Sequence, residues 1–128
     1  MNHTEKIIRE IKEFHTDIEA WFHGEQDQEN LYKKLLSGFD TDFKMTSGDG
    51  NTLSLDVLSE WLTGVYGQFP DRSIIIENIA VQTTDVHGLA SYIEIQTTGS
   101  TVTRRKSSAV FLLNDERALW LHLIEKWI

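Results

Sequence analysis

Cysteine is absent from this 128-residue sequence, which removes disulfides, thiolate metal ligands and a thiol nucleophile at one stroke. Proline occurs once, at Pro70, so helices and strands can run on without its interruption. Basic residues are few: 12 Lys and Arg stand against 20 Asp and Glu, and the net charge of −8 repels a phosphate backbone. The one basic cluster is Arg104, Arg105 and Lys106, and nucleic acid is not an expected partner. Nowhere does the chain approach the ~18 consecutive apolar residues of a membrane span. Met1 to Glu13 is charged and helix-patterned rather than signal-like, so a cytoplasmic protein that does not engage membranes is expected. Also missing are a Gly-rich phosphate loop, a Gly-x-Ser-x-Gly elbow and a dinucleotide fingerprint. His3, His15, His23, His87 and His122 show no metal-binding spacing, and no metal or cofactor is expected.

What is present suits a single domain over residues 1–128, because halves of this length would bury too little surface. Ile7, Ile11, Phe14, Ile18 and Trp21 recur at three and four residues, widened by Ile8 and Phe22, with Glu10, Lys12, Glu13 and Asp17 facing away. This is one long amphipathic helix, capped by Asn2 and ended by Gly24. Asp27 caps a shorter helix carrying Leu31, Leu35 and Leu36 that stops at Gly38. A strand from Phe39 to Thr46 and a turn at Ser47–Asn51 follow. Ser54 then caps a third helix with Leu55, Leu58, Trp61, Leu62 and Val65 on one face.

Beyond Pro70 the period changes to two. Ile74–Thr83, Leu89–Thr98, Thr101–Leu113 and Ala118–Ile128 are predicted strands joined by short, antiparallel links. The expected fold is therefore α+β: three helices packed on a strongly bent, mostly antiparallel sheet that makes a cone with one mouth.

A two-residue turn at Gly99-Ser100 pairs Glu94 with Arg105, Tyr92 with Ser107 and Gln96 with Thr103, all on one face. If that face lines the cone, Arg105 would anchor an anion or carbonyl, Glu94 would orient it, and Tyr92 and Gln96 would add polar contacts. The alternative is a cross-strand salt bridge on a solvated face. In the last strand, strict alternation places Trp120 and His122 on one face, and Leu123, Glu125 and Trp127 on the other. Trp61 and Trp120 are candidate apolar contacts to a ligand. Glu94 and His122 are the candidate acid–base groups, since a carboxylate or imidazole beside a cavity can move protons. Asp40, Asp42 and Asp49 fail the calcium-loop pattern and read as a solvated turn. Because both faces of the last strand are apolar, the face turned from the helices is expected to meet a second copy of the chain.

The stretch Phe39-Asp40-Thr41-Asp42-Phe43-Lys44-Met45-Thr46, between a helical hairpin and a helix ending in Trp61-Leu62, resembles the nuclear transport factor 2-like, or SnoaL-like, superfamily. Tyr92–Gln96, Arg105–Phe111 and Trp120–Trp127 agree, and they are similar to a bacterial branch of unknown function. The resemblance spans nearly the whole chain and implies a cone of helices wrapped by a bent sheet, commonly dimeric, with a pocket between them. It includes ketosteroid isomerase and polyketide cyclases, whose base is an acidic residue just after the first strand. That position falls near Ser47, which is no base for a C–H proton at neutral pH; Asp49 lies two residues on. The expected function is thus binding of a small apolar molecule carrying a polar or anionic group. The alternatives are a cofactor-independent isomerase, dehydratase or cyclase, and a dimerisation module whose cone is filled by its own side chains, Trp21 and Trp61 among them.

Overall fold

The computed structural model describes all 128 residues as α1 (His3–His23), α2 (Gln28–Ser37), β1 (Phe39–Thr46), β2 (Thr52–Ser54), α3 (Leu55–Val65), β3 (Arg72–Thr83), β4 (His87–Thr98), β5 (Thr101–Leu113) and β6 (Ala118–Trp127). The predicted caps are in place: Asn2, Asp27 and Ser54 each accept a hydrogen bond from a first-turn amide of α1, α2 and α3, satisfying donors that the helix itself cannot. Gly24 closes α1 with φ +78°. A Cβ there would also meet the Gly67 Cα at 3.0 Å, so glycine is needed for both conformation and space. No helix is long and apolar enough to cross a membrane.

The six strands form one sheet in the order β2-β1-β6-β5-β4-β3. It is open, with β2 and β3 at its edges, and every pairing is antiparallel except β1 with β6. The pairing is irregular at three places, one of them in β1 between Phe39 and Lys44, and the other two bear on the bend. One lies in β3 between Glu77 and Ala80, where Asn78 takes φ +57°; the other lies in β6, where Leu121 is an extra residue between Trp120, opposite Phe111, and His122, opposite Val110. Extra residues of this kind bend a strand and flip the face of all that follows.

The concave face packs against α1 through Ile7, Ile11, Phe39, Phe43, Tyr92, Phe111 and Trp120. A second apolar cluster joins the three helices through Ile18, Trp21, Phe22, Leu31, Leu35 and Leu62, and Phe14 touches both. The indole of Trp21 donates to the Leu62 carbonyl at 2.9 Å, tying α1 to α3. Two residues expected to face solvent do not. Asp17 is buried against Lys34 of α2, and Glu10 accepts from the Trp120 indole and from Arg117. Helix α2 and the β5–β6 turn cover what an isolated helix would expose.

Candidate functional site

Between α1, α3 and the concave sheet lies a cavity of about 360 Å3, within the ~300–1,000 Å3 range of small-molecule sites. Its walls are aromatic and aliphatic: Phe14, Ile18 and Phe22 from α1, Phe39, Phe43 and Met45 from β1, Leu58 and Leu62 from α3, Leu123 from β6. One side is polar, where His15, Glu94, Gln96, Arg105 and Glu125 come together from four different elements.

The expected register holds, with Glu94 opposite Arg105, Tyr92 opposite Ser107 and Gln96 opposite Thr103. The expected ion pair does not form. Arg105 turns to β6, where Nη1 donates to both carboxylate oxygens of Glu125 at 3.2 and 3.4 Å. Glu94 turns to the helix, accepting from His15 Nε2 at 3.1 Å and from Gln96 at 2.6 Å. Cross-strand register brings Cα atoms together; long side chains then choose among neighbours on three sides.

The pair His15–Glu94 is buried, at 6% and 5% exposure. His15 Nδ1 lies 2.6 Å from the Ile11 carbonyl, an acceptor only, so this nitrogen donates. Nε2 faces the Glu94 carboxylate and donates to it when both ring nitrogens carry a proton. Burial pushes the Glu94 carboxyl up, but the His15 hydrogen bond and charge, with Arg105 and Gln96, outweigh it and hold the group at about 2. Glu125 moves the opposite way: burial pushes it above the ordinary 4.5, Arg105 draws it back, and the Glu94 charge pushes it up again.

At the mouth, the Trp127 ring lies over the Arg105 guanidinium at 4.7 Å and its indole donates to Asp49 at 3.1 Å. Gly48 makes the room, since a Cβ there would sit 2.6 Å from the indole. Asp49, which lines the mouth, is thereby held through Oδ1, and Ser47, at the position where the resemblance implies an acidic base, accepts from the Asn51 amide. Asp40 accepts from the Asp42 amide and lies apart from the cavity.

The remaining expected residues divide. Gln96, Trp61 and Trp120 line the cavity. Trp61 stands at its mouth, 46% exposed, while Trp120 is buried and held by Glu10. Trp21 packs among the helices rather than in the cone. Tyr92 lies beneath the cavity wall, its ring 5.4 Å from His15; burial pushes its phenol well above the ordinary 10, and its hydroxyl has no partner. His122 is turned away, because the extra Leu121 reverses the alternation and sends Leu123, Glu125 and Trp127 inward. Sequence reasoning missed His15, Glu125 and Trp127. His15 did carry a signal: it sits four residues after Ile11 and three before Ile18, on the apolar stripe.

No protein-family model and no curated protein matches the chain. Solved structures do. An NTF-2-like protein of unknown function from Pseudomonas aeruginosa superposes with a TM-score of 0.91 at 27% identity, over 96% of this chain and 98% of that one. An NTF2-like protein from Cytophaga hutchinsonii gives 0.77 at 12% identity, covering 100% of both chains. The CaMKII hub homology domain of Chlamydomonas reinhardtii gives 0.76 at 15% identity, over 99% of each. The last two speak to fold alone; together with the first, and with the helices, bent open sheet and register described above, they identify the chain as a member of the nuclear transport factor 2-like superfamily.

Proposed function

We propose that the chain is a small-molecule-binding protein whose ligand is mostly apolar and carries one polar or anionic group. The observation that carries this reading is the cavity of about 360 Å3 with aromatic walls and a single polar side, the arrangement that orients a ligand by a few contacts and binds it by apolar burial. Arg105 is the anchor: Nη1 is taken by Glu125, while Nη2 has no protein partner and the side chain lines the cavity. The test is native mass spectrometry of freshly purified protein, followed by a crystal structure. Co-purifying mass that density places against Arg105 supports the reading; a cavity closed by its own side chains in the crystal defeats it.

A proton-transfer enzyme of isomerase, dehydratase or cyclase type is the second reading, favoured by the geometry of two buried carboxylates on one wall: Glu94 is held by both His15 and Gln96, Glu125 by Arg105 alone. Those contacts lower the first while burial raises the second, as in acid and base partners. Here Glu125, not His122, is the group to move a proton, and Glu94 stays ionised. Exchange of α-hydrogens of an enolisable aromatic ketone in heavy water, followed by NMR, tests it; no exchange above a Glu125→Gln control removes it.

The protein works as a homodimer through the outer sheet face in this reading. That face carries Ile75, Ile93, Ile95, Val110 and Ile124, of which Ile75 and Ile124 are 53% and 40% exposed. Light scattering at micromolar concentration that returned the mass of one chain would rule this out.

A further inference from the structure

The polar side of the cavity sets each carboxylate against a nitrogen group, and the pairing says what can enter. Glu94 faces His15, a cation only when both ring nitrogens are protonated, and Glu125 faces the permanent charge of Arg105. The first pair is fixed, because both nitrogens of His15 and both oxygens of Glu94 are engaged, through Ile11 and Gln96. The second pair is looser. Arg105 reaches Glu125 through Nη1 alone, Nη2 is free, and Nε is buried without a partner. A guanidinium held at one corner has donors left for a second carboxylate. An anion entering the site would stand beside Glu125, and of two buried carboxylates facing one guanidinium, one is pushed toward its protonated form.

We propose that the cavity takes aromatic monocarboxylic acids as their anions, with Arg105 Nη2 as the anchor and Glu125 taking up one proton as each anion enters. This rests on the small-molecule reading above and commits it to a ligand class. Seven aromatic side chains line the cavity, which suits a planar ring. One unit of negative charge is what protonation of Glu125 compensates, and a dianion would leave a charge unpaired. The groups facing Glu125 agree on where the proton goes. Arg105 on β5 stays charged, Glu94 on β4 is held ionised by His15 on α1, and Tyr92 on β4 is buried and neutral. Asp49, across the mouth, is bonded to Trp127. Burial already raises Glu125 from its ordinary value, and Arg105 holds it at one corner only, so it accepts a proton at the least cost.

The test is isothermal titration calorimetry of the full chain with benzoate, 2-naphthoate and indole-3-acetate, each against its neutral primary amide. Measurements are made at about pH 8, well above an ordinary carboxyl, in two buffers of different ionisation enthalpy. Acids binding at least about tenfold more tightly than their amides, with one proton taken up per ligand, are expected; Kd then rises about tenfold per pH unit, as one linked proton requires. Glu125→Gln should abolish both the uptake and the pH slope and tighten binding at this pH. The wild-type proton count needs no variant, so it stands even if Glu125→Gln folds poorly. Amides that bind as well as the acids, or acids that bind with no proton uptake, overturn the proposal and leave the small-molecule reading intact. If none of the six compounds binds, the proposal falls, and the crystal structure named above decides the small-molecule reading separately.

Discussion

Replacing His15 by leucine tests the buried pair directly. Leucine keeps the apolar packing against Phe14, Tyr92 and Trp120, whose rings lie 5.3, 5.4 and 6.3 Å from the imidazole, and removes the imidazole's hydrogen bonds to Glu94 and to the Ile11 carbonyl. The carboxyl is held at about 2 against an ordinary 4.5. At 1.36 kcal/mol per pKa unit that interval amounts to ~3 kcal/mol of stability at neutral pH, similar to the ~3–5 kcal/mol seen when a buried ion pair loses one member. Glu94→Gln should cost less. There Nε2 of a neutral ring accepts from the new amide, whose oxygen accepts from Gln96, so every buried group keeps a partner. The assay is urea unfolding at neutral pH of the wild type, both single variants and the double variant. The expected order is His15→Leu least stable of the singles, with the double variant well short of the sum. A His15→Leu loss below about 0.5 kcal/mol, typical of surface positions, would refute the reasoning.

Three further outcomes are expected from the same packing. The Glu94 contribution is fully present above pH 4.5 and disappears as pH falls toward 2; the raised Glu10 and Glu125 act with the opposite sign, gaining stability as they protonate. The difference between wild type and His15→Leu should therefore shrink by ~3 kcal/mol on acidification, read from unfolding midpoints across that window. Gly88→Ala would place a Cβ 2.1 Å from Cδ1 of the fully buried Ile7, and overpacking of this kind costs ~1–3 kcal/mol; adding Ile7→Val, which deletes that methyl, should recover part of the loss in denaturant unfolding. Gly48→Ala should expel the Trp127 indole from its seat against Asp49 and Arg105. Tryptophan emission should shift to the red while stability changes by only ~1 kcal/mol, because that indole is already 46% exposed.

Elements were legible in the sequence because their ends carry local chemistry. Asn2, Asp27 and Ser54 cap helices wherever they fold, and Gly99-Ser100 fixes the β4–β5 register whatever lies on either side. Glu94 and Arg105 were legible as neighbours for that reason. Their partners were not, since a strand pattern holds no information about a helix laid across it or about which adjacent strand a guanidinium prefers. The short strand β2 escaped because Thr52–Ser54 is three residues long and merges with the cap of α3. The solvent-facing expectation for Glu10 and Asp17 failed similarly, because helical periodicity marks the broad apolar face and not a second, polar contact behind it.

The placement of Glu125 shows how far a single residue can move a site. Read as an uninterrupted strand, β6 offers His122 to the face of Trp120 and sends Glu125 and Trp127 to the other. Leu121 carries no mark of an irregularity, being neither glycine nor a left-handed conformer. The demand comes from outside the strand. β6 must pair antiparallel with β5 on one side and parallel with β1 on the other while the open sheet bends toward the helices, and an extra residue supplies the bend. Its cost is borne where Trp120 is already locked by Glu10, Phe111 and Phe39. Every residue after it changes face, which trades an imidazole for a carboxylate and a third indole in the cavity. The chemistry available to this chain is therefore set as much by the curvature of its sheet as by its inventory of side chains, and Glu125, buried beside Arg105 and Trp127, is the residue on which that chemistry turns.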